Sequence, residues 1–585
     1  YAARGMASAD ELDDSLARLL PPATLTHADA AARVLADALT QGTPVCIVAD
    51  YDCDGATACA VGLRGLRMLE AALATHGQRA PRPDLISYLV PDRVTDGYGL
   101  TPALALRVAA TGAKLLVTVD NGIASVEGVQ IARELGMQVL VTDHHLPAIL
   151  NGQVVLPADC TIVNPNQPGC TFESKAIAGV GVMFYVLLAL RAELRNRGIF
   201  DATEPAPGRP KLANAPLGGA ATAGSVGGSI PQPKLDTLLP LVALGTVADV
   251  VRLDANNRRL VAQGLKRVRT GALPPGLAAL FAVAGRKPEA ATAFDFGFAV
   301  GPRLNAAGRL SDMTLGIECL TTDDPTRATD LARTLDTINR ERKTIEGDMR
   351  EQALQLADEM LDESEEPPPA LCVFDPDFHE GVVGIVASRL KDKLHRPTFV
   401  FAMSGAEGHE NELKGSGRSI PGFHLCDALD LVAKRHPGVL LRFGGHAMAA
   451  GCTIDADSLD IFEAALQQVA HEWLDKATLT RSMQADGPLD KQYRRTDLVD
   501  ALHKEVWGQG FAPPVFAEEV DVVSQRLVGE KHLALKLRHQ GDPVDAIWFS
   551  HTEPLPPRVK LAFRLDADEW QGQRRVRFLV EGAEV

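Results

Sequence analysis

Asp50-Tyr-Asp-Cys-Asp-Gly55 places three carboxylates at alternate positions directly after the apolar run Pro44–Ala49. That charge density is costly to hold together without a bound cation. A calcium-binding EF-hand loop needs a preceding helix and a bidentate Glu at its twelfth position, where this chain has Val61, so that reading fails. A solvated acidic turn remains the alternative for these three residues taken alone. Further donors follow in Val119-Asp120-Asn121-Gly122 and in Asp143-His144-His145. Asp249 interrupts the nearly apolar helical run Ala243–Val251, where a carboxylate with no partner would be costly to bury; the bland reading is an acid capping a neighbouring helix. Mixed carboxylate and imidazole donors suit Mn²⁺ or Mg²⁺ better than structural zinc. Two such ions about 3.5 to 4 Å apart, sharing a bridging carboxylate, activate water and stabilise the leaving oxygen of an in-line attack on phosphorus, which makes phosphoester hydrolysis the leading chemistry.

The elements that must position these groups are legible as a series. Short apolar or β-branched runs beginning at Pro44, Leu85, Lys114, Gln138 and Thr161 end at Asp50, Asp92, Asp120, Asp143 and Asn164, each followed by a helical stretch. That is the pattern of a parallel α/β sheet, which builds its active site at the carboxyl ends of its strands. Composition turns to Pro, Gly, Ala and Ser over 201–234, an expected flexible insertion. Long charged helices are expected from Pro325 to Met360, ending at a proline run taken as a domain boundary. A second α/β unit with two glycine-rich loops follows from Ala370 to about Asp475, and the last hundred or so residues alternate as strands of a small β-barrel.

At 585 residues the chain is too long for a single small binding module. With 46% hydrophobic and 23% charged residues it reads as a globular chain, and no apolar run approaches the roughly 18 residues of a membrane span. The formal net charge of −16 argues against a basic surface that coats nucleic acid, so a polyanionic substrate would require local positive charge. Nine cysteines without a CxxC pair read as reduced core thiols. No secretory signal opens the chain and Tyr1 stands in place of Met, so a trimmed or processed start and a cytoplasmic location are expected.

The blocks Asp50-Tyr-Asp-Cys-Asp-Gly55, Val119-Asp-Asn-Gly122, Asp143-His-His145 and Gly245-Thr-Val-Ala-Asp249 together resemble the DHH phosphoesterases. Gly301-Pro-Arg-Leu-Asn-Ala-Ala-Gly-Arg309, Gly415-Ser-Gly-Arg-Ser419 and Phe443-Gly-Gly-His-Ala-Met-Ala-Ala-Gly451 extend the likeness over nearly the whole chain, towards that family's single-strand-specific exonucleases. The resemblance implies a DHH catalytic domain over 1–325, a helical connector over 326–366, a second α/β domain of the DHHA1 type over 367–477 and an OB-fold over 478–585. It implies Asp52, Asp54, Asp120, His144 and Asp249 as ligands of two Mn²⁺ or Mg²⁺ ions, with Asp50 and His145 ligating or orienting. It also implies 5′ to 3′ digestion of single-stranded DNA in repair and recombination, beside a helicase and a single-strand-binding protein.

Candidate substrate contacts are Arg303, Asn305 and Arg309, read as lying in a glycine- and proline-flanked loop, where Arg suits bidentate phosphate recognition and an ordinary solvated arginine is the alternative. Gly415–Ser419 is read as a phosphate nest offering backbone N–H groups, Ser416 and Arg418, which the resemblance associates with a 5′ phosphate. Gly444 and Gly445 before His446 would let a strand approach closely, or form an ordinary turn. Arg93 is a further candidate, and His379 reads equally as a loop hydrogen-bonding residue. In the β-domain, Lys531, His532, Lys536, Arg538, Arg574, Arg575 and Arg577 interleave with Trp548, Phe549 and Phe578, either a single-strand-binding face or a solvated face over an aromatic core. Two other readings stand beside the exonuclease: a small-molecule phosphodiesterase or pyrophosphatase on the same catalytic domain, and a catalytically silent DNA-binding scaffold.

Overall fold

The computed structural model describes residues 1–93, 96–150, 153–200, 230–360, 367–405, 408–570 and 573–584. The expected insertion at 201–234 therefore lies outside the described residues except for 230–234. Five parallel strands, β1 (Val45–Ala49), β2 (Ile86–Leu89), β3 (Leu115–Val119), β4 (Gln138–Thr142) and, after a small hairpin of β5 (Ala148–Leu150) and β6 (Gln153–Val155), β7 (Thr161–Val163), form a sheet of order β2-β1-β3-β4-β7. Both faces are covered, so the strands read as unbroken apolar runs. Val45, Ile47 and Ala49 of β1 face a core built with the helices Ala28–Gln41, Cys53–His76, Gly179–Asn196 and Leu239–Ala248. Cys46 and Val48 face the other side, packing with the helices Pro102–Ala110 and Val126–Glu134. The chain runs outward from β1 to β2, then crosses to β3 on the opposite flank. The strand order thus reverses at β1/β3, the place where open α/β sheets form their binding crevice. Asp50 and Asp120 follow the two strands on either side of that crevice.

The chain divides into two compact units. The first holds Tyr1–Gly308, Asp312–Asp336 and a strap, Leu502–Pro513. The strap's Val506 and Phe511 are buried in the first unit's core, and Trp507 stacks on Phe511. The helix Pro325–Met360 runs from the first unit into the second.

In the second unit, β8 (Leu371–Phe374), β9 (Thr398–Met403), β10 (Glu412–Arg418), β11 (Arg442–Gly445) and β12 (Ala449–Asp455) form a mixed sheet of order β11-β12-β10-β9-β8. The closing strands β13 (Phe516–Val528), β14 (His532–His539), β15 (Asp542–Trp548), β16 (Arg558–Trp570) and β17 (Gln573–Glu584) make a closed barrel of order β13-β14-β15-β17-β16 with one parallel pair, β15 and β17. Five strands closed in this way form the expected OB-type barrel. Its centre is aromatic: Phe563 stacks on Phe578 at 3.9 Å, with buried His539 edge-on to Phe578.

Two glycine-rich segments correct the sequence reading. Gly415–Arg418 is not a loop but part of β10, paired with β9 on one side and β12 on the other, so its backbone groups serve the sheet and form no nest. Its glycines answer a packing need: a Cβ at Gly415 or Gly417 would lie 2.3 or 2.4 Å from the rings of Phe401 or Phe399. Likewise Gly301–Leu310 is a helix rather than a loop. Pro302 follows directly on the π-helical turn Phe296–Val300, and Gly308 lets the helix pack directly against the Tyr51 carbonyl.

Candidate metal centre and substrate-binding residues

Each acidic strand end is held by its own local device. The Asp52 carboxylate accepts from Gly55 N–H at 2.9 Å and so caps the helix Cys53–His76. Asp54, in that helix's first turn, is buried and receives Gly179 N–H at 2.6 Å and Val180 N–H at 3.0 Å from the start of the helix Gly179–Asn196. Asp120 adopts φ 63, a left-handed conformation that Asp tolerates better than most residues. Gly179 and Gly245 make room for this crowding, since a Cβ would lie 2.5 Å from Asp120 Oδ1 at the first and 2.8 Å from Asp54 Oδ1 at the second.

The five expected ligands converge, together with Asp50 and His145. His144 Nε2 lies 3.1 Å from Asp120 Oδ1 and 3.4 Å from Asp249 Oδ2. Three groups, Asp50/Asp52/Asp120, Asp54/His144/Asp249 and Asp120/His144/His145, each bring their ligand atoms within 4.8 Å of one another. Asp120 and His144 are each shared by two groups. Burial pushes Asp54 up to about 7, with the neighbouring Asp52 charge adding to it. The same cause, burial first and then a neighbouring carboxylate, raises Asp50, Asp120 and Asp249 well above the usual range. Asp50 Oδ1 is buried with no hydrogen-bond partner. Clustered, buried, oxygen-rich and partly unsatisfied donors fit a hard divalent cation.

Asp143 is the residue the sequence reading undervalued. Fully buried, it accepts through Oδ1 from His144 N–H (2.7 Å), His145 N–H (3.1 Å) and the His145 ring at Nδ1 (2.7 Å), and through Oδ2 from Ile123 N–H (2.9 Å). It fixes the backbone of the His-His turn and the orientation of the His145 ring. Burial disfavours the charged form of both partners, but their mutual hydrogen bond and charge outweigh it: Asp143 is lowered and His145 is raised to about 9. Tyr98 was also missed. Its hydroxyl lies 3.2 Å from both the Asp120 carbonyl and His145 Nδ1. The signal for Asp143 was present, a carboxylate ending a buried strand, whereas nothing in its own position marks Tyr98.

The expected substrate contacts fare differently. Arg303 is tied by Nε and Nη2 to Asp336 Oδ1 at 2.9 and 2.8 Å, a nearly buried pair within the first unit. Asn305 spends its side-chain oxygen on Cys53 N–H at 2.7 Å, buttressing the acidic motif. Arg309 donates to the Gly381 carbonyl at 3.0 Å, and Arg93 lies over the Tyr51 ring at 4.7 Å. His379 accepts from Gly381 N–H at 3.0 Å, the loop hydrogen bond weighed above. Gly444 and Gly445 lie on the exposed edge strand β11, and His446 N–H donates to the Ala449 carbonyl at 2.8 Å. Ser416 and Arg418 project from β10 on the face opposite Phe399 and Phe401. Arg418 Nη1 donates to Ser416 Oγ at 3.1 Å and to the Gly417 carbonyl at 2.8 Å. Both side chains lie against Gly384 in the first turn of the helix Val383–Leu394, where a Cβ would be 2.8 Å from either. On the barrel, Arg574 pairs with Asp500, Arg577 with Asp566, and Phe578 is core, so these do not form an open binding face. Lys536, Arg538 and Phe549 are exposed.

A stability prediction follows from the raised carboxyls. For Asp54, with a value near 3.8 unfolded and about 7 folded, the stabilising contribution is full below pH 4 and lost as pH rises through about 7. In chelator, the Tm should therefore fall between pH 5 and 8, and Mn²⁺, by favouring the charged form, should reverse much of that fall. Asp54→Asn should flatten the chelator curve. Thermal scans across this range check it, and a flat curve for the unmutated protein in chelator would refute it.

Three comparisons bear on this geometry. The chain matches the DHH family N-terminal domain over residues 44–206, the DHHA1 domain over 368–472 and the RecJ OB domain over 485–582. It is 42% identical to the single-stranded-DNA-specific exonuclease RecJ of Escherichia coli strain K12, over 99% of this chain and 94% of that protein, and 31% identical to the Thermus thermophilus RecJ, over 98% and 72%. In structure it is similar to Thermus thermophilus RecJ in complex with Mn²⁺ (TM-score 0.76, 28% identity, 100% of this chain and 75% of that one) and to the same protein in complex with Mg²⁺ (TM-score 0.71, 27% identity, 100% and 74%).

Proposed function

The chain belongs to the RecJ family of DHH phosphoesterases, and on that premise we propose that it is a single-stranded-DNA-specific exonuclease that digests from the 5′ end and releases 5′-mononucleotides. The observation that carries the reading is the convergence of Asp50, Asp52, Asp54, Asp120, His144 and Asp249 at the carboxyl ends of β1, β3 and β4 and the end of the helix Leu239–Ala248. We assign these six as the residues that would hold two ions, Mn²⁺ or Mg²⁺. When bound, such ions supply a water nucleophile at neutral pH and stabilise the leaving oxygen. The chain's own residues do the rest. Gly179 and Val180 N–H groups hold Asp54 in register, Asp143 fixes the His145 ring, and Asn305 steadies the acidic motif through Cys53.

In the second unit we assign the 5′-terminal phosphate to Ser416 and Arg418. A guanidinium and a hydroxyl at a helix N-terminus make an anion site without any backbone nest. Arg303 is assigned to structure instead. A helicase that supplies single strands and a single-strand-binding protein are the partners such an activity calls for, in DNA repair and recombination. A cytoplasmic setting agrees with nine cysteines, none of them disulfide-bonded.

The test compares unmutated protein and Arg418→Ala in Mn²⁺ on a single strand carrying 5′-phosphate or 5′-hydroxyl, with a duplex and a cyclic dinucleotide alongside. The unmutated protein should degrade the single strands from the 5′ end, preferring the phosphate, and leave the duplex and the cyclic dinucleotide. Arg418→Ala should lose most of the end preference. Digestion of the cyclic dinucleotide in place of the strands would establish the small-molecule reading, and an equal loss on both ends would reduce Arg418 to a general contact.

A further inference from the structure

Beside the metal centre, the segment Ala293–Val300 displays two aromatic rings that the fold leaves uncovered. Phe294 and Phe298 stack on one another with centroids 4.5 Å apart and planes at 21°, yet they are 51% and 71% exposed. Phe296, between them in sequence, is fully buried and packs edge-on against Phe281. That anchor pins the turn Phe296–Val300, which is a π-helical turn, a feature often found at functional sites. The spacing of four residues sets the outer rings side by side on one face.

The adjoining face of the same turn packs beside the metal ligands. A Cβ at Gly297 would lie 3.4 Å from Val247 Cγ1, and one at Gly301 would lie 3.1 Å from the Ala248 Cβ and 3.9 Å from Cys53 Sγ. Val247 and Ala248 directly precede Asp249, and Cys53 lies between Asp52 and Asp54. The turn that displays the rings thus packs against residues adjoining Asp52, Asp54 and Asp249. A second observation points to the same border. Val250, next to Asp249, is 63% exposed and held at φ 59, a left-handed conformation in which a β-branched residue is an outlier of the kind found at functional sites.

We propose that Phe298, backed by Phe294, is a stacking platform for one base of the single strand whose phosphates lie at the metal centre. Every base offers a π face, so such a platform is sequence-tolerant, as a general exonuclease requires. The occupant is argued from continuity with the metal centre: a nucleotide with its phosphate at Asp249 has its base within reach of the π-turn. Phe298 is a positioning residue, since it touches the base and none of the reacting atoms. The proposal rests on the single-strand reading given above and adds a specific contact to it.

The test is a double-mutant cycle between protein and substrate. Unmutated protein, Phe298→Ala and Phe298→Trp are assayed in Mn²⁺ on a 5′-phosphorylated oligonucleotide and on versions with a single abasic site moved stepwise from the 5′ end. Phe298→Ala should raise KM about tenfold, within the range seen when a stacked base loses its aromatic partner, with a smaller change in kcat. Phe298→Trp should restore it. One abasic position should cost the unmutated protein a similar factor and cost Phe298→Ala almost nothing. Because Phe298 is so exposed, thermal scans of both variants should match the unmutated protein. If every abasic position cost the unmutated protein and Phe298→Ala the same factor, or if Phe298→Ala cut all strands normally, the platform would be overturned while the exonuclease reading stood. Failure of the unmutated protein to cut the intact strand would overturn that reading instead.

Discussion

Asp54→Ala should reduce hydrolysis of single-stranded DNA by about three orders of magnitude or more, since metal-ion catalysis supplies several kcal/mol of transition-state stabilisation at about 1.4 kcal/mol per decade. Binding of the strand should survive. The fold should survive too, for opposing reasons that nearly offset. The substitution strips Gly179 and Val180 N–H of their acceptor, but it also removes one of several carboxylates forced together in a buried crevice. Asp54→Asn separates the two, because it keeps an acceptor while abolishing the charge, and it should be inactive yet more stable than the unmutated protein in chelator. Asp120 needs the same care. Its φ of 63 suits Asn better than Ala, so Asp120→Asn tests the ligand while Asp120→Ala tests ligand and backbone together. Rates in Mn²⁺ with thermal scans in chelator measure all four. Near-normal cleavage by Asp54→Asn would remove the carboxylate cluster from the mechanism.

What the sequence revealed and what it hid divide along a physical line. The first sheet was legible because both its faces are buried, which writes each strand as a continuous apolar run, and because three of the runs stop at acids, Asp50, Asp120 and Asp143, that gather at the crevice. The acidic cluster was legible for the same reason: carboxylates gathered at buried strand ends repel one another unless a cation offsets their charge. Gly415–Arg418 was misread because glycine is normally depleted in strands. Its presence in β10 answers the rings of Phe399 and Phe401, a demand set by a neighbouring strand about fifteen residues earlier in the chain. Arg303 shows that an arginine's type does not disclose its partner: Asp336, thirty-three residues on, holds it. Asn305 and Asp143 show the converse. Asn305 accepts from Cys53 N–H and Asp143 from the N–H groups of the His-His turn, bonds that residue type and spacing alone do not disclose.

The strap Leu502–Pro513 reshapes the second large prediction. A truncation from Ser482, just inside the expected OB-fold boundary at 478, would be the direct test of whether the barrel clamps long strands. That cut would also remove Val506 and Phe511, which are buried in the first unit's core, and Trp507, which stacks on Phe511. Losing a buried aromatic side chain costs about 3 to 5 kcal/mol, a large share of a domain's stability, so activity would fall on every substrate for reasons unrelated to DNA. Removing Pro514–Val585 instead spares the strap and takes away the five barrel strands with their exposed Lys536, Arg538 and Phe549. Stacking contributes about 1 to 3 kcal/mol per base and phosphate contacts add to it, so the shortened protein should bind long single strands at least tenfold more weakly. Cleavage of very short oligonucleotides, which engage the metal centre without reaching a distant clamp, should change by no more than a few-fold, because affinity gained far from the reacting bond is lost only by substrates long enough to use it. The comparison is of KM and kcat on short and long strands for the full chain and both truncations. The cut at Ser482 should lower Tm and fail on both lengths, whereas the cut at Pro514 should discriminate between them. Equal losses on short and long strands with an unchanged Tm would show that the barrel has no part in holding the strand.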